Sequence, residues 1–367
     1  MKHPLKNTLS LLLAAVLLLA AVLPAFAASP FTDDVTVSVL TGSDFQDAGT
    51  AAYERFGAVL RLMQADGLQT PHSMLVGGDY TKLLFDYATP GVELIRQQLT
   101  ATYPDADPDS VVCIQGNHDN PVAGFAKTGL SDMGAYALYV INEDDFPWLQ
   151  TVRPDWCVKK VAADLKKALD GMIASGDRRP LLVMTHLPLH HTDRSLYGEN
   201  RYASYIFDVL GDAGNTLDIV FLFGHQHSGD YDDYIGGSVN FMAPGDTIRV
   251  PNPGLPGANA YTERTLTFTY TNCGYIGYSN NTVSETSTNA LTLGAVLFTP
   301  ETLKIVKYGE NGFLRADEVA RKNAPTDAET LPAGTPARQN EDVWRVERGL
   351  IVRLIELVRK LAAFFKR

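Results

Sequence analysis

Five short apolar runs in the first two-thirds of the chain each stop abruptly at a small polar cluster. Ile219–Phe223 is apolar throughout and breaks into Gly224-His225-Gln226-His227. An uninterrupted run of that length, followed by glycine, reads as a buried strand with a tight turn at its end. Upstream, Val35, Val37 and Val39 alternate with Thr36 and Ser38 ahead of Ser43-Asp44-Phe45-Gln46. Met74–Val76 runs into Gly78-Asp79, Val111–Ile114 into Gly116-Asn117-His118-Asp119, and Leu181–Met184 into Thr185-His186. Between these runs the period changes to that of a helix. Phe56, Val59, Leu60 and Met63 predict a helix over 51–64, and residues 91–103 read the same way. Val158, Val161, Leu165 and Leu169 make 156–173 an amphipathic helix, and a further helix is expected over 201–211.

Residues 120–154 follow neither period. They carry Tyr136, Tyr139, Phe146 and Trp148 and read as a long irregular loop, whose aromatics either pack it onto the body or reach a substrate. After His227 the helical signals fade. Short Thr-, Tyr- and Val-rich strands are expected over 238–250, 264–272, 274–279, 290–299 and 302–308. The order, βαβα and then mostly β, predicts an α/β fold: parallel strands with helices outside, completed by an antiparallel sheet.

The two ends read differently from this body. Lys2 and Lys6, the apolar stretch Leu9–Leu23 and the ending Ala25-Phe26-Ala27 predict a secretory leader over 1–27, cleaved after Ala27, and hence a secreted or cell-surface protein. The alternative, an uncleaved anchor, asks for a longer apolar stretch. The main domain is expected over 28–320 and an Ala-, Pro- and Thr-rich linker over 321–340. In 341–367, Val343, Val346, Leu350, Leu354, Leu357, Leu361 and Phe365 line one side of a helix whose Arg and Lys residues outnumber its acids. Such a basic amphipathic helix binds a membrane surface or a protein partner, or else folds back on the body or self-associates.

Composition narrows the function. With 45% hydrophobic and 20% charged residues, the chain is an ordinary globular one. Loss of Lys2 and Lys6 with the leader would take the formal charge from −11 to −13. A protein so acidic is unsuited to wrapping nucleic acid as a scaffold, although it could cleave a nucleotide at a cationic centre. Cys113, Cys157 and Cys273 are too few and too scattered for a disulfide framework. Cys113 reads as a small buried hydrophobe, and a Cys157–Cys273 bridge stays open.

The strand tips together offer Asp44, Gln46, Asp79, Asn117, His118, Asp119, His186, His225 and His227. Oxygen donors mixed with imidazoles suit Mn²⁺, Fe²⁺ or Zn²⁺, and the lack of thiols argues against a structural zinc knot. In open α/β sheets, sites form beyond the carboxyl ends of the strands, which is where all five clusters fall.

The ordered blocks Ser43-Asp44-Phe45-Gln46, Gly78-Asp79, Gly116-Asn117-His118-Asp119, Thr185-His186 and Gly224-His225-Gln226-His227 resemble those of the calcineurin-like metallophosphoesterases. The resemblance covers residues 44–227. It implies a four-layer α/β/β/α sandwich of two mixed sheets flanked by helices. It also implies two divalent metal ions, and hydrolysis of phosphate mono- or diesters by a hydroxide bridging them. Carried over by position, Asp44, Gln46, Asp79 and His227 would hold the first ion; Asp79, Asn117, His186 and His225 would hold the second. His118 would stabilise the phosphoryl oxygens or protonate the leaving oxygen, and Asp119 would orient that imidazole or pin the turn.

Two features depart from the wider pattern. Gln46 stands where the first block usually has histidine, and an amide oxygen is the weaker ligand for a transition metal. Lys82 stands where the purple acid phosphatase branch has tyrosine, and the Asp-Arg-Gly run of the protein phosphatase branch is absent. In the loop after the fourth strand, His190, His191, Arg194 and Arg201 are candidate substrate contacts, arginine being suited to phosphate. Two other functions fit less of the pattern: a non-catalytic surface binder that keeps the fold, and an enzyme brought to lipid phosphates by the 341–367 helix.

Overall fold

Two six-stranded sheets packed face to face, with helices against their outer faces, organise the computed structural model of the chain. It describes residues 29–31, 34–47, 49–81, 89–120, 124–143, 154–191, 200–226, 241–255, 260–277 and 291–324. The chain divides into two units, Asp33–Glu341 and Met1–Thr32 with Asp342–Arg367; every described strand and helix belongs to the first. The expected leader, residues 325–340 of the expected linker and the basic helix lie outside the described residues.

In chain order, β1 (Val37–Gly42), α1 (Ala51–Ala65), β2 (Ser73–Val76), α2 (Thr89–Thr102) and β3 (Val111–Cys113) form a first parallel unit. A hairpin of β4 (Gly129–Asp132) and β5 (Ala137–Ile141) follows. A second parallel unit comprises α3 (Asp155–Ser175), β6 (Leu181–Thr185), α4 (Ala203–Ala213) and β7 (Ile219–Phe223). The later strands are β8 (Phe241–Met242), β9 (Thr247–Pro251), β10 (Tyr261–Thr265), β11 (Thr269–Asn272), β12 (Thr292–Phe298), β13 (Thr302–Gly309) and β14 (Gly312–Ala320). One sheet has the order β14-β13-β12-β1-β2-β3 and the other β4-β5-β6-β7-β11-β8, while β9 and β10 pair separately.

Both sheets are mixed, as the resemblance implies. Apart from the antiparallel β9–β10 pair, the later strands do not make a sheet of their own: β12 pairs antiparallel with β1 and extends its sheet, and β11 pairs parallel with β7. The stretch expected as an irregular loop contains the β4–β5 hairpin, and all of β5 is buried beside β6. Residues 274–277, the described part of the strand expected over 274–279, run with Cys273 as an irregular strap, and β14 lies where no strand is expected.

Val39, Leu75, Val296 and Ile305 of one sheet meet Leu138, Val140, Leu182, Met184, Val220 and Leu222 of the other in the inter-sheet core. Each such side chain contributes roughly 1.5–3 kcal/mol by leaving water. On the outer face of the second sheet, Val158, Val161, Leu165 and Leu169 of α3 and Ile206, Phe207 and Leu210 of α4 cover Val183, Phe221 and Phe223. On the other side α1 packs against α2, β13 and β14. Cys113, Cys157 and Cys273 are buried thiols in no disulfide, the last two in different clusters.

Candidate metal centre

Because β1, β2 and β3 run parallel in one sheet and β6 and β7 in the other, their carboxyl ends converge where the sheets meet. Each candidate side chain lies within six residues of such an end. His186, directly after β6, reaches across to the opposite sheet, and its Nδ1 lies 2.6 Å from the Gly77 carbonyl. A carbonyl only accepts, so Nδ1 carries the hydrogen, and a neutral His186 turns the lone pair of Nε2 to the other side. That side holds the Asn117 Oδ1 at 2.8 Å, the His225 Nδ1 at 3.3 Å and the Asp79 Oδ2 at 3.5 Å. Asn117 Oδ1 is also 2.8 Å from His225 Nδ1.

Four acceptor-type atoms therefore point at one small volume. All four side chains are buried, Asn117 being the most exposed of them at 7%. Convergent lone pairs repel one another unless a proton or a cation lies between them, and oxygen with imidazole is a donor set suited to a divalent transition ion. Asp79, His186 and His225 form a candidate metal site, with one ligand atom from each within 4.8 Å of the others.

Next to it lies Asp44. Its Oδ2 accepts from the His225 amide at 2.9 Å, while its Oδ1 is buried without a partner. Burial pushes the Asp44 carboxyl up to about 7, against the pull of His186. An orphaned buried carboxylate oxygen beside a cation site is what a second ion would satisfy. Gln46, half-buried, places its Nε2 3.3 Å from Asp79 Oδ2. Burial works to raise Asp79, but the His186 charge and hydrogen bond outweigh it and hold the carboxyl well below the usual range. The same pairing pushes His186 up to about 9, against the effect of its own burial.

The backbone is bent to serve these side chains. Asp44, Gln46, Asp79 and His225 are the described non-glycine residues at positive φ, at 54°, 45°, 59° and 64°. Gly116 must be glycine, since a Cβ there would lie 2.2 Å from Asp79 Oδ1.

Of the two roles open to Asp119, its contacts are those of the second. Its carboxylate accepts from the amides of Asp79 at 2.7 Å, Tyr80 at 2.9 Å and Gly116 at 2.9 Å, tying the second and third blocks together. Burial first, and then the Asp79 charge, push it up to about 8. His118 donates its amide to Asp79 Oδ1 at 2.8 Å, and its ring, 26% exposed, is the open imidazole among the described residues of the cluster. Its Nδ1 is buried with no partner.

The loop after β6 divides. His190 is fully buried instead of facing a substrate: its Nδ1 meets the Tyr270 hydroxyl at 2.8 Å and its ring packs edge-on to Phe223. His191 is half-buried against Tyr261, and its amide donates to the Arg249 carbonyl at 2.6 Å. Arg201 is exposed, with its guanidinium over Tyr202. Arg194 and His227 lie outside the described residues.

Sequence reasoning missed Asn272 at the end of β11. It is fully buried and donates from Nδ2 to the Gln226 carbonyl at 2.8 Å, inside the histidine turn. The only signal was the Asn-Cys-Gly break ending a Thr- and Tyr-rich strand.

The sequence profile of the calcineurin-like phosphoesterases matches residues 39–229. No curated protein matches the chain. Among solved structures it is similar to a dimetal phosphatase of Danio rerio, at 11% identity and a TM-score of 0.42, over 77% of this chain and 98% of that one. It is likewise similar to GAP50, the anchor in the inner membrane complex of Plasmodium, at 10% identity and a TM-score of 0.40, over 82% and 90%.

Proposed function

The chain belongs to the calcineurin-like phosphoesterase family, and from that membership we propose a secreted enzyme that hydrolyses a phosphate mono- or diester where the two sheets meet. It is a phosphoester hydrolase; secretion, the ester class and the individual roles below are the proposal. The observation that carries it is the convergence of Asp79, Asn117, His186 and His225 lone pairs on one buried point, with the partnerless Asp44 oxygen alongside.

Asp79, Asn117, His186 and His225 would hold one divalent ion, and Asp44, Gln46, Asp79 and His227 its neighbour. Bound there, such ions supply a water of lowered pKa and draw charge from the phosphoryl oxygens. The chain's own residues do the rest. Asp79 has an oxygen toward His186 and another fixed by the His118 amide, so it is placed to serve both positions. Among the described residues of the site, His118 is the side chain with both an open face and a free ring nitrogen, and it would donate to the phosphoryl or leaving oxygen. Asp119 acts through the turn, holding the Asp79 and Gly116 amides in place.

The test is to express the whole chain in a bacterial host and assay medium and cells against aryl phosphate monoesters and diesters. Mn²⁺, Zn²⁺, Mg²⁺ and Ca²⁺ are each supplied in turn. The expected result is cation-dependent hydrolysis of one ester class in the medium, by a protein whose first residue is Ala28. Hydrolysis of neither class with any cation contradicts the activity, and an active cell-bound protein that keeps Met1 contradicts secretion.

A further inference from the structure

Lys307 is a buried lysine, 1% exposed, on β13 in the layer between the sheets, two residues from the core residue Ile305. It stands in a row with Gly294 of β12 and Thr41 of β1. Gly294 leaves the path open: a Cβ there would lie 2.3 Å from Thr41 Oγ1 and 3.1 Å from Lys307 Nζ. The lysine therefore crosses its neighbouring strand and donates from Nζ to the Asn272 carbonyl. Thr41 Oγ1 donates to the next carbonyl, that of Cys273, at 2.9 Å. Two consecutive carbonyls at the end of β11 are thus held by side chains of the opposite sheet.

A buried cation is costly unless paired, and among the described residues Lys307 makes no ion pair. The nearby acid Asp317 is engaged by Arg315 through two contacts of 2.6 Å. The hydrogen-bonding of the Lys307 ammonium goes to the peptide, and that peptide carries Asn272, whose amide holds Gln226 between His225 and His227.

We propose that Lys307 is a positioning residue of the metal centre, acting through Asn272 to fix the turn that presents His225. The inference rests on the site reading above. Burial pushes the lysine down to about 8, so it remains charged at neutral pH.

The experiment measures the dissociation constant of Mn²⁺ by calorimetry on full-length, chelator-stripped protein: wild type, Lys307→Met, Asn272→Ala, the double variant and Lys307→Arg. Each single loss should weaken Mn²⁺ binding about tenfold, the weight of one hydrogen bond to a charged group. The double variant should bind no more weakly than the worse single, because the two residues act in series. Lys307→Arg, which keeps the cation, should recover most of the affinity; a side chain that only fills space would be as well replaced by Met. Unchanged affinity in Lys307→Met, or losses that simply add, overturns the inference. Should Lys307→Met fail to fold, Asn272→Asp decides: it removes the donor to Gln226, and an unchanged constant overturns the link. Failure of the wild type to bind Mn²⁺ would sink the site reading itself, an outcome distinct from unaltered binding in the variants.

Discussion

His186 shows how one side chain couples the site to solution conditions. Its imidazole is pushed up to about 9 because the Asp79 carboxylate outweighs the opposing effect of burial. The folded value lies above the ordinary 6.5, so the protonated ring stabilises the metal-free fold fully below about pH 6.5. That contribution is lost as the pH rises through about 9. A cation takes the place of that proton, since a ligating imidazole must give up the hydrogen on its donor nitrogen. Mn²⁺ binding at pH 7.5 should therefore release about one proton from His186. Calorimetry in buffers of different ionisation enthalpy reads this directly, and binding with no proton release would contradict it. The positive φ of Asp44, Gln46, Asp79 and His225 belongs to the same scale. Each such residue stores roughly 1–3 kcal/mol of strain, held by bonds such as Asp44 N to the Gly78 carbonyl at 3.0 Å and Gln46 N to the Asp79 carbonyl at 3.0 Å. The strain falls on the side chains assigned to the ions, as expected of a site shaped before it binds.

Among the elements, the strap 273–277 ties the first block to the body. Ile276 donates its amide to the Ser43 carbonyl at 3.2 Å, and Arg55 of α1 donates to the Ile276 and Gly277 carbonyls at 2.9 and 2.8 Å. Arg55→Ala, which removes both bonds, should speed hydrogen exchange at the Ile276 amide about tenfold, a figure that allows for the partial exposure of Arg55, and leave α3 unchanged. Equal acceleration in α3 would mean global loosening instead. Composition marked this strap as strand, because Tyr275 and Ile276 favour extended backbone; its hydrogen bonds go to a turn, which no local pattern reveals. The five strand tips were legible because an apolar run ending in Gly, Asp, Asn or His is a local signal. The hairpin at 129–141 is hidden in the sequence because its first strand, Gly129–Asp132, is mostly exposed and carries no apolar period, although Ala137–Ile141 is an uninterrupted run of the kind that marks the other buried strands. In β14, Arg315, Asp317 and Glu318 masked the strand period. The roles of Asp119, Asn272 and Lys307 depend on chain segments brought together only by the fold.

For the whole molecule, the arrangement reduces to two parallel units whose strand ends face one point, with later strands extending both sheets. The sequence order of the blocks was enough to imply the sandwich, but not which sheet each later strand would join. A net charge of −11 does not favour an anionic ester, so attraction must be local, at a centre that bound ions would make positive. The central claim is that the strand tips form one metal-dependent hydrolytic centre, and Asn117 is its most direct probe, because its amide oxygen touches both His186 and His225. The measurement is the initial rate of hydrolysis of 4-nitrophenyl phosphate and of bis(4-nitrophenyl) phosphate by chelator-stripped protein as Mn²⁺ is added back, for wild type and Asn117→Ala, read on whichever ester the wild type cleaves. The expected result is no hydrolysis in the stripped wild type, recovery with Mn²⁺, and a rate at least about a hundredfold lower in Asn117→Ala at saturating Mn²⁺. Full activity in folded Asn117→Ala, or activity in the wild type that chelation leaves untouched, would contradict it.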